Sequence, residues 1–444
     1  MSVDTFEPVV TPNEVWQKVK KRAWITIAVP LAIITYLAYT WFAFGVPELL
    51  SKAQPERAVI LATDSVAYKI HVTKLLRRDI LEVAIEGERR ATYSEEDLPE
   101  WVSVDGTNSV VDLGQGYLVE ITGKRMEFTV PGYGLITATA TNSGVDYVLP
   151  EGNQPDWLKV GPKKLDARPT LDRRVQVTKT KIEVHNYFGG WENFWFPFHS
   201  ELYGMSFSQL WALALSADRL DPNTANIWFI VNEFLENPDW QHGEIFVALF
   251  ETIMMAVLGT LTAAFFGLPL AFLAARNFTP SMILRFGTRR LFDFLRGIDM
   301  LIWSLIFIRA FGLGPLTGAL AIAFTDTGSL GKLFSEALEN IDNKQVEGVR
   351  ATGASQIQRY RFGVIPQILP VFVSQVLYYL ESNTRSATVI GALGAGGIGL
   401  MLVETMKTSR DWENTSYIIV MTIVVVIIMD QTSSWLRRKL IEGK

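Results

Sequence analysis

The side chains in this sequence whose types and spacing could do chemistry fall into two sets. The first lies in a polar stretch between strongly apolar segments, residues 347 to 366, EGVRATGASQIQRYRFGVIP, where Glu347, Arg350, Gly353, Ala354 and Pro366 stand out. Mixed helical turns flank the Gly353-Ala354 pair, and glycine there permits a sharp bend or a close approach by another backbone. Pro366 can open the next helix, because the N–H it lacks would be unpaired at a first helical position anyway. What such an elbow offers is docking, a charged turn that another protein can grip. The second set comprises polar side chains inside or beside apolar runs, where charge is costly and marks a route for a polar solute. These are Arg309, Asp326, Glu381, Asn383 and Arg385, together with the glycine-rich run Gly391 to Gly399 that holds Ala395 and Gly397. Interrupted apolar segments often line a transport pathway. A guanidinium grips phosphoryl oxygens bidentately, so one or two arginines near a channel mouth suit an oxyanion. Each residue also has a plainer reading. Arg385 can anchor in headgroups, Arg309 can snorkel, Asp326 can pair inside a bundle, and Glu381 and Asn383 can lie where the helix has already reached water.

Other chemistries find little support. The sequence has no cysteine, which removes disulfides, thiolate catalysis and Cys-ligated metal sites. His71, His185, His199 and His242 show no metal-ligand spacing, so they are expected in ordinary polar positions, with no metal and no cofactor. No Ser/His/Asp set or paired acids argue for catalysis. A phosphate-cradling G-x-x-x-x-G-K-[ST] loop has its nearest miss at Gly331-Lys332-Leu333, which lacks the hydroxyl and the earlier glycine. A net charge of -5 from 41 basic and 46 acidic residues gives no reason to expect nucleic acid.

The elements that must position both sets are membrane helices. Hydrophobic residues make up 49% of the chain and charged ones 20%, a mixture that suggests spans plus a water-exposed part. A spanning helix needs about 20 mostly apolar residues. Residues 23 to 46 qualify, after the basic run Lys18, Lys20, Lys21 and Arg22, and read as a retained anchor because the apolar run is too long for a signal peptide. Thr252 to Ala275 is the next span, leading into a basic loop with Arg276, Arg285, Arg289, Arg290 and Arg296. Two shorter segments between Ile298 and Leu338 are broken by FGLGP, a fifth span starts near Val364 and runs to about Tyr379, and a last one precedes Arg437, Arg438 and Lys439. All the basic clusters then fall on one face, which places both termini in the cytoplasm. Short alternating runs in residues 58 to 150 (RAVILAT, GYLVEIT, RMEFTV, LITATAT) predict a small β-domain outside the cytoplasm. WENFWFPF, MSFSQLWALAL and NIWFIVNEFL are too short to span; they suit helices along the outer interface or packing against the β-domain.

The spacing of the elbow resembles a known family pattern. Glu347-Gly-Val, three residues, Gly353, nine residues and Gly363-Val-Ile-Pro366 resemble the EAA loop of ABC importer permeases, Glu-Ala-Ala, three residues, Gly, nine residues, Ile-x-Leu-Pro. Gly348-Val349 replace the two alanines and Gly363 the isoleucine. LAARN (273 to 277), GLGPLTGALA (312 to 321), LGKLFSEALENID (330 to 342), YRFGVIPQILP (360 to 370) and NTRSATVIGALGAGGIG (383 to 399) together look like the permease subunit of phosphonate ABC importers. The resemblance covers about residues 244 to 440 and implies a homodimer in the inner membrane. It also implies two cytoplasmic ABC ATPase subunits that hydrolyse ATP on another chain, and an external substrate-binding protein. Glu347, Arg350, Gly353, Ala354 and Pro366 would couple to the ATPase. The fold expected is an all-α polytopic membrane protein of about six transmembrane helices, with a β-rich extracytoplasmic insertion between helices 1 and 2. Its parts are a cytoplasmic segment 1–22, an anchor 23–46, the β-rich domain 50–190, interfacial helices 191–243 and a permease core 244–440 with a coupling loop 343–363. Permeases for another solute such as methionine share the elbow. A membrane-anchored ligand sensor is the alternative from a different class, opposed by the lack of a kinase, cyclase or long coiled coil after the last span.

Overall fold

A helix placed in lipid must pair its backbone within itself, so a span is expected to be a continuous helix of about 20 residues. The computed structural model describes residues 12–85, 91–94, 97–106, 108–408 and 412–442, with residues 12–23 described by backbone alone. Of the expected segment 1–22, residues 1–11 lie outside the described residues, and residues 12–22 form the start of the first helix. The chain divides into two units, residues 1–61 and 62–444. In the first, α1 (Pro12–Ala43) runs through Pro30, and Trp24–Ala43 is long and apolar enough to cross a membrane, with no side chain of that stretch buried. Gly45, in the left-handed region at φ 62, turns the chain into α2 (Val46–Ser51). The run RAVILAT, expected as a strand, is instead part of α3 (Pro55–Asp64). A short continuous apolar run has no period to separate strand from helix, and Pro55 with Glu56 in the first turn supplies a helix start.

The second unit begins with the β-rich domain. One sheet holds β1 (Ala67–Leu75), β2 (Ile80–Ile85), β3 (Ala91–Thr92), β10 (Leu158–Gly161), β11 (Lys164–Thr170), β12 (Arg173–Thr178) and β13 (Lys181–Gly189), in the order β10-β11-β12-β13-β1-β2-β3. The other is a meander of β4 (Val102–Asp105), β5 (Asn108–Asp112), β6 (Leu118–Thr122), β7 (Arg125–Val130), β8 (Gly134–Ala140) and β9 (Val145–Val148). Alternate residues of both sheets, among them Val72, Val83, Phe128, Ile136, Val175 and Val184, meet in one apolar core. This is the period of two expected of half-buried strands.

Between the β-domain and the helical core the three aromatic-rich pieces behave differently. MSFSQLWALAL and NIWFIVNEFL contain α4 (Phe207–Leu215), capped by Ser206 and Gln209, and α5 (Asn226–Leu235). WENFWFPF is not helical. Its Trp191 and Phe194 pack with Trp240 and Tyr417, and the Phe194 carbonyl lies 2.7 Å from the His242 ring.

The helical core is built on α6 (His242–Ala274) and α9 (Pro315–Glu339), which cross closely because small residues line the contact: Ala256, Gly259, Ala263 and Gly267 on α6, Ala319 and Gly331 on α9. A Cβ at Gly259 would lie 2.7 Å from Ile322 Cβ. The expected basic loop after α6 is mostly a helix, α7 (Met282–Gly297), capped by the Ser281 side chain. Thr288, Phe292 and Leu295 recur at helical spacing and are buried, while Arg290 is exposed and Arg285 half-buried, so the segment is amphipathic. Phe292 packs where Gly331 of α9 has no side chain.

The expected third span, α8 (Met300–Phe311), is only 12 residues, roughly 18 Å of helix against a hydrocarbon core of about 30 Å. After the turn at Gly312-Leu313-Gly314 comes α9, 25 residues long. Among the described residues four helical stretches are long and apolar enough to cross a membrane: Trp24–Ala43, His242–Ala274, Gln356–Ala395 and Trp412–Ile441. The last is α14 (Trp412–Arg437 by its own bounds) with a final π turn.

Filling the contact between α6 and α9 is expected to cost about 1–3 kcal/mol, as overpacking of a close interface does. Gly259→Val should thus lower the thermal midpoint of the detergent-solubilised chain. Gly287→Ala on α7, where a Cβ meets nothing within 4 Å, should leave it unchanged or slightly raised.

Candidate functional site

The elbow is made of two short helices joined at a glycine. In α10 (Asn343–Ala351) the Asp342 side chain caps the first turn, and the Asp342 N–H donates to the Gln367 side chain at 2.8 Å, tying the elbow to the helix that follows. Val346 turns inward onto a cluster with Phe334, Leu338, Val364 and Ile368, while Glu347, Gly348 and Arg350 are exposed. Gly353 sits in the left-handed region at φ 81 with open space around it, so the need for glycine is the bend rather than a close approach. Ala354 is half-buried, and Ser355 with Gln358 forms a capping box for α11 (Gln356–Arg359). A π turn, Tyr360–Val364, leads into α12 (Ile365–Ile390), with Pro366 in its first turn. Gly363, which stands where the EAA pattern has isoleucine, is buried; a Cβ there would lie 3.2 Å from the Val346 Cα. The departure from the pattern lets α10 dock closely.

The base of the elbow is braced by the LAARN and SEALENID stretches, which the fold brings together. Glu339 at the end of α9 accepts from the Arg276 N–H at 2.7 Å and pairs with Arg289 of α7, whose Nε also donates to the Ala274 carbonyl. The Asn277 side chain donates to the Leu338 and Glu339 carbonyls.

The pathway candidates do not form one site. The fifth span was expected to end near Tyr379, but α12 continues through Glu381, Asn383 and Arg385 to Ile390. Polar side chains do not stop a helix when they find partners along it or across it. Glu381 and Arg385 pair at i,i+4 on the outer side, 3.3 Å apart, with the Arg385 side chain 54% exposed. Asn383, on the opposite side, is buried and donates to Asp326 Oδ2 at 2.5 Å and to Thr260 Oγ1 at 2.8 Å. Asp326, Asn383 and Thr260 thus join α9, α12 and α6 in one buried polar knot. Arg309 is exposed in the last turn of α8, next to Ile308, which reaches toward Gly394.

At Gly391–Ala395 the helix breaks. Gly394, Gly396 and Gly397 take φ values of 112, 84 and 68, and the chain restarts as α13 (Gly397–Thr408), with Ala395 and Gly397 buried. The new helix is held from α6: Gly397 N–H donates to the Glu251 carboxylate and Ile398 N–H to Thr252 Oγ1, both at 3.0 Å. A negative group suits that helix start. Sequence reasoning passed over Glu251 and Thr252. A glutamate inside the apolar run from Ile245 to Met255 was the signal that could have found them.

Residues 267–440 match the family model described as "Binding-protein-dependent transport system inner membrane component". The phosphite transport system permease protein PtxC of Stutzerimonas stutzeri is 37% identical over 190 residues, 43% of this chain and 69% of that protein. This chain belongs to the same permease family. The putative phosphite transport system permease protein HtxC of the same organism is 35% identical over 194 residues, covering 44% of this permease and 68% of its relative. The putative cryptic phosphonate transport system permease protein PhnE2 of Escherichia coli (strain K12) is 45% identical over 122 residues, 28% of this permease and 99% of PhnE2. The β-rich domain lies outside the residues the family model matches.

The polar knot of the permease core generates its own test. Asn383→Ala leaves Asp326 buried without its amide donor, which is expected to cost about 1–3 kcal/mol and lower the thermal midpoint. Arg385→Gln, at the exposed pair, should change it by less than about 0.5 kcal/mol.

Proposed function

We propose that this permease is the membrane-spanning subunit of an ATP-driven importer that carries a phosphorus oxyanion, phosphonate, phosphite or phosphate, across a bacterial inner membrane. The observation that carries the reading is the identity of 35 to 45% between its helical part and permeases named for phosphite and phosphonate transport. ATP is hydrolysed by two partner ATPase subunits, and an external binding protein delivers the solute. The elbow suits the first contact, since Glu347 and Arg350 are exposed on a helix whose other face is anchored through Val346. Force applied there passes through Gly363 and the Asp342–Gln367 bond into α12.

The working unit is a pair of these chains. An arginine exposed on a membrane helix is costly against lipid. A second copy across α12 would remove Arg385 from lipid and set it beside the pathway, with the glycine break following it in sequence and Ile308, the neighbour of Arg309, reaching toward Gly394. The arginines of α7 and the elbow then face the cytoplasm with both termini, and the β-rich domain stands outside, next to the binding protein.

Uptake of a labelled phosphonate by vesicles holding the full complex tests the reading. Glu347→Lys should leave insertion intact and abolish stimulated ATP hydrolysis. Arg385→Ala should reduce uptake about tenfold, roughly 1.4 kcal/mol, with little loss of complex yield. Arg385→Lys should keep part of the activity if attraction dominates over bidentate grip. Uptake that ignores phosphonate, phosphite and phosphate but follows an amino acid would replace this substrate class with another.

A further inference from the structure

The β-rich domain has two faces, and only one of them is explained by its apolar core. On the other face β1 and β13 place His71 directly opposite His185, with the rings stacked 4.2 Å apart between centroids. Glu183 is two residues from His185 on β13 and so shares its face, and Thr73 stands opposite Glu183. One ligand atom from each of His71, Glu183 and His185 lies within 4.8 Å of the other two. The sequence showed no ligand spacing because 114 positions separate the histidines; antiparallel pairing of β1 with β13 cancels that distance.

The burial of these groups needs a reason. The His185 side chain is only 7% exposed, yet neither ring nitrogen has a hydrogen-bond partner, and the Thr73 hydroxyl, 2% exposed, also has none. Buried polar atoms are nearly always paired, and those left over commonly mark a water or an ion.

We propose that His71, Glu183 and His185 bind a divalent transition-metal ion of the zinc class. Two imidazoles and one carboxylate are a donor set suited to such an ion. Tetrahedral bonds of the usual length put ligand atoms roughly 3.4 Å apart, so side-chain rotations alone can close the site. The Thr73 hydroxyl is placed to bond a water in the fourth position. Positive neighbours do not defeat the site, because most are already engaged. Arg174 forms a two-pronged pair with Asp166 at 2.9 and 2.8 Å, and Lys69 lies over the Tyr187 ring. Lys181 is the competitor, since its ammonium is 2.6 Å from Glu183 Oε1. Its side chain is 39% exposed and can release the carboxylate into water. Glu82, opposite Thr73 on β2, adds a negative charge on the same face.

The test uses the full-length chain in detergent, purified through a tag without histidine and stripped with EDTA. Equilibrium dialysis should find one Zn2+ per chain, lost in His71→Gln, weakened at least about tenfold in Glu183→Gln and retained in His199→Gln. Lys181→Ala should bind Zn2+ more tightly, a gain that misfolding cannot produce. Co2+ added to the unaltered protein should give the visible absorption of a four-coordinate site. Absence of that absorption, Zn2+ binding that survives His71→Gln, or Lys181→Ala with unchanged or weaker affinity would each overturn the assignment.

Discussion

The close crossing of α6 and α9 is the contact on which the helical core depends. Lipid gives no hydrophobic drive for one apolar helix to meet another, so the attraction must come from near approach and from polar groups with no other partner. Gly259, Ala263 and Gly267 provide the approach, and Gly331 on the facing helix leaves room on its far side for Phe292 of α7. Once the two backbones are that near, Thr260 and Asp326 come within reach of the same amide, and Asn383 fixes where α12 lies. The small residues and the polar knot therefore act together. The first sets the distance, and the second makes only one register of three helices satisfy its hydrogen bonds.

Two kinds of glycine do opposite work in this chain. Those in the crossing are helical and are needed for lack of volume, whereas Gly353, Gly394, Gly396 and Gly397 are needed for positive φ. The second kind ends helices where the chain must change direction, as at the elbow and where α12 gives way to α13. The break inside the core exposes N–H groups that lipid cannot satisfy, and Glu251 and Thr252 accept two of them. A charged residue in an apolar helix is thus explained by the backbone opposite it.

The β-rich domain follows different physics. Its core alternates along each strand and fills the space between two sheets, which water would drive together in any aqueous compartment. Its other face collects Asp166, Arg174, Lys181, Glu183, His71 and His185, a polar layer in which most charges are matched across neighbouring strands. His185 is the member without a match.

Much of this was legible in the sequence where a local rule decides. Apolar runs of spanning length marked α1, α6 and α14, alternation marked strands such as β6, β7 and β8, and the spacing from Glu347 to Pro366 marked the elbow. Local rules failed where the deciding partner is remote. RAVILAT has no period of its own, the arginines after α6 concealed an amphipathic helix, and α12 runs past Tyr379 because Glu381, Asn383 and Arg385 all find partners. Only the tertiary structure separated Asn383 and Asp326, paired in the interior, from Arg385 on the outside, and only strand pairing set His71 against His185. The reason is the same in each case. Hydropathy and helical or strand period are properties of neighbours along the chain, whereas a hydrogen bond between Asn383 and Thr260 depends on which helices approach and in what register.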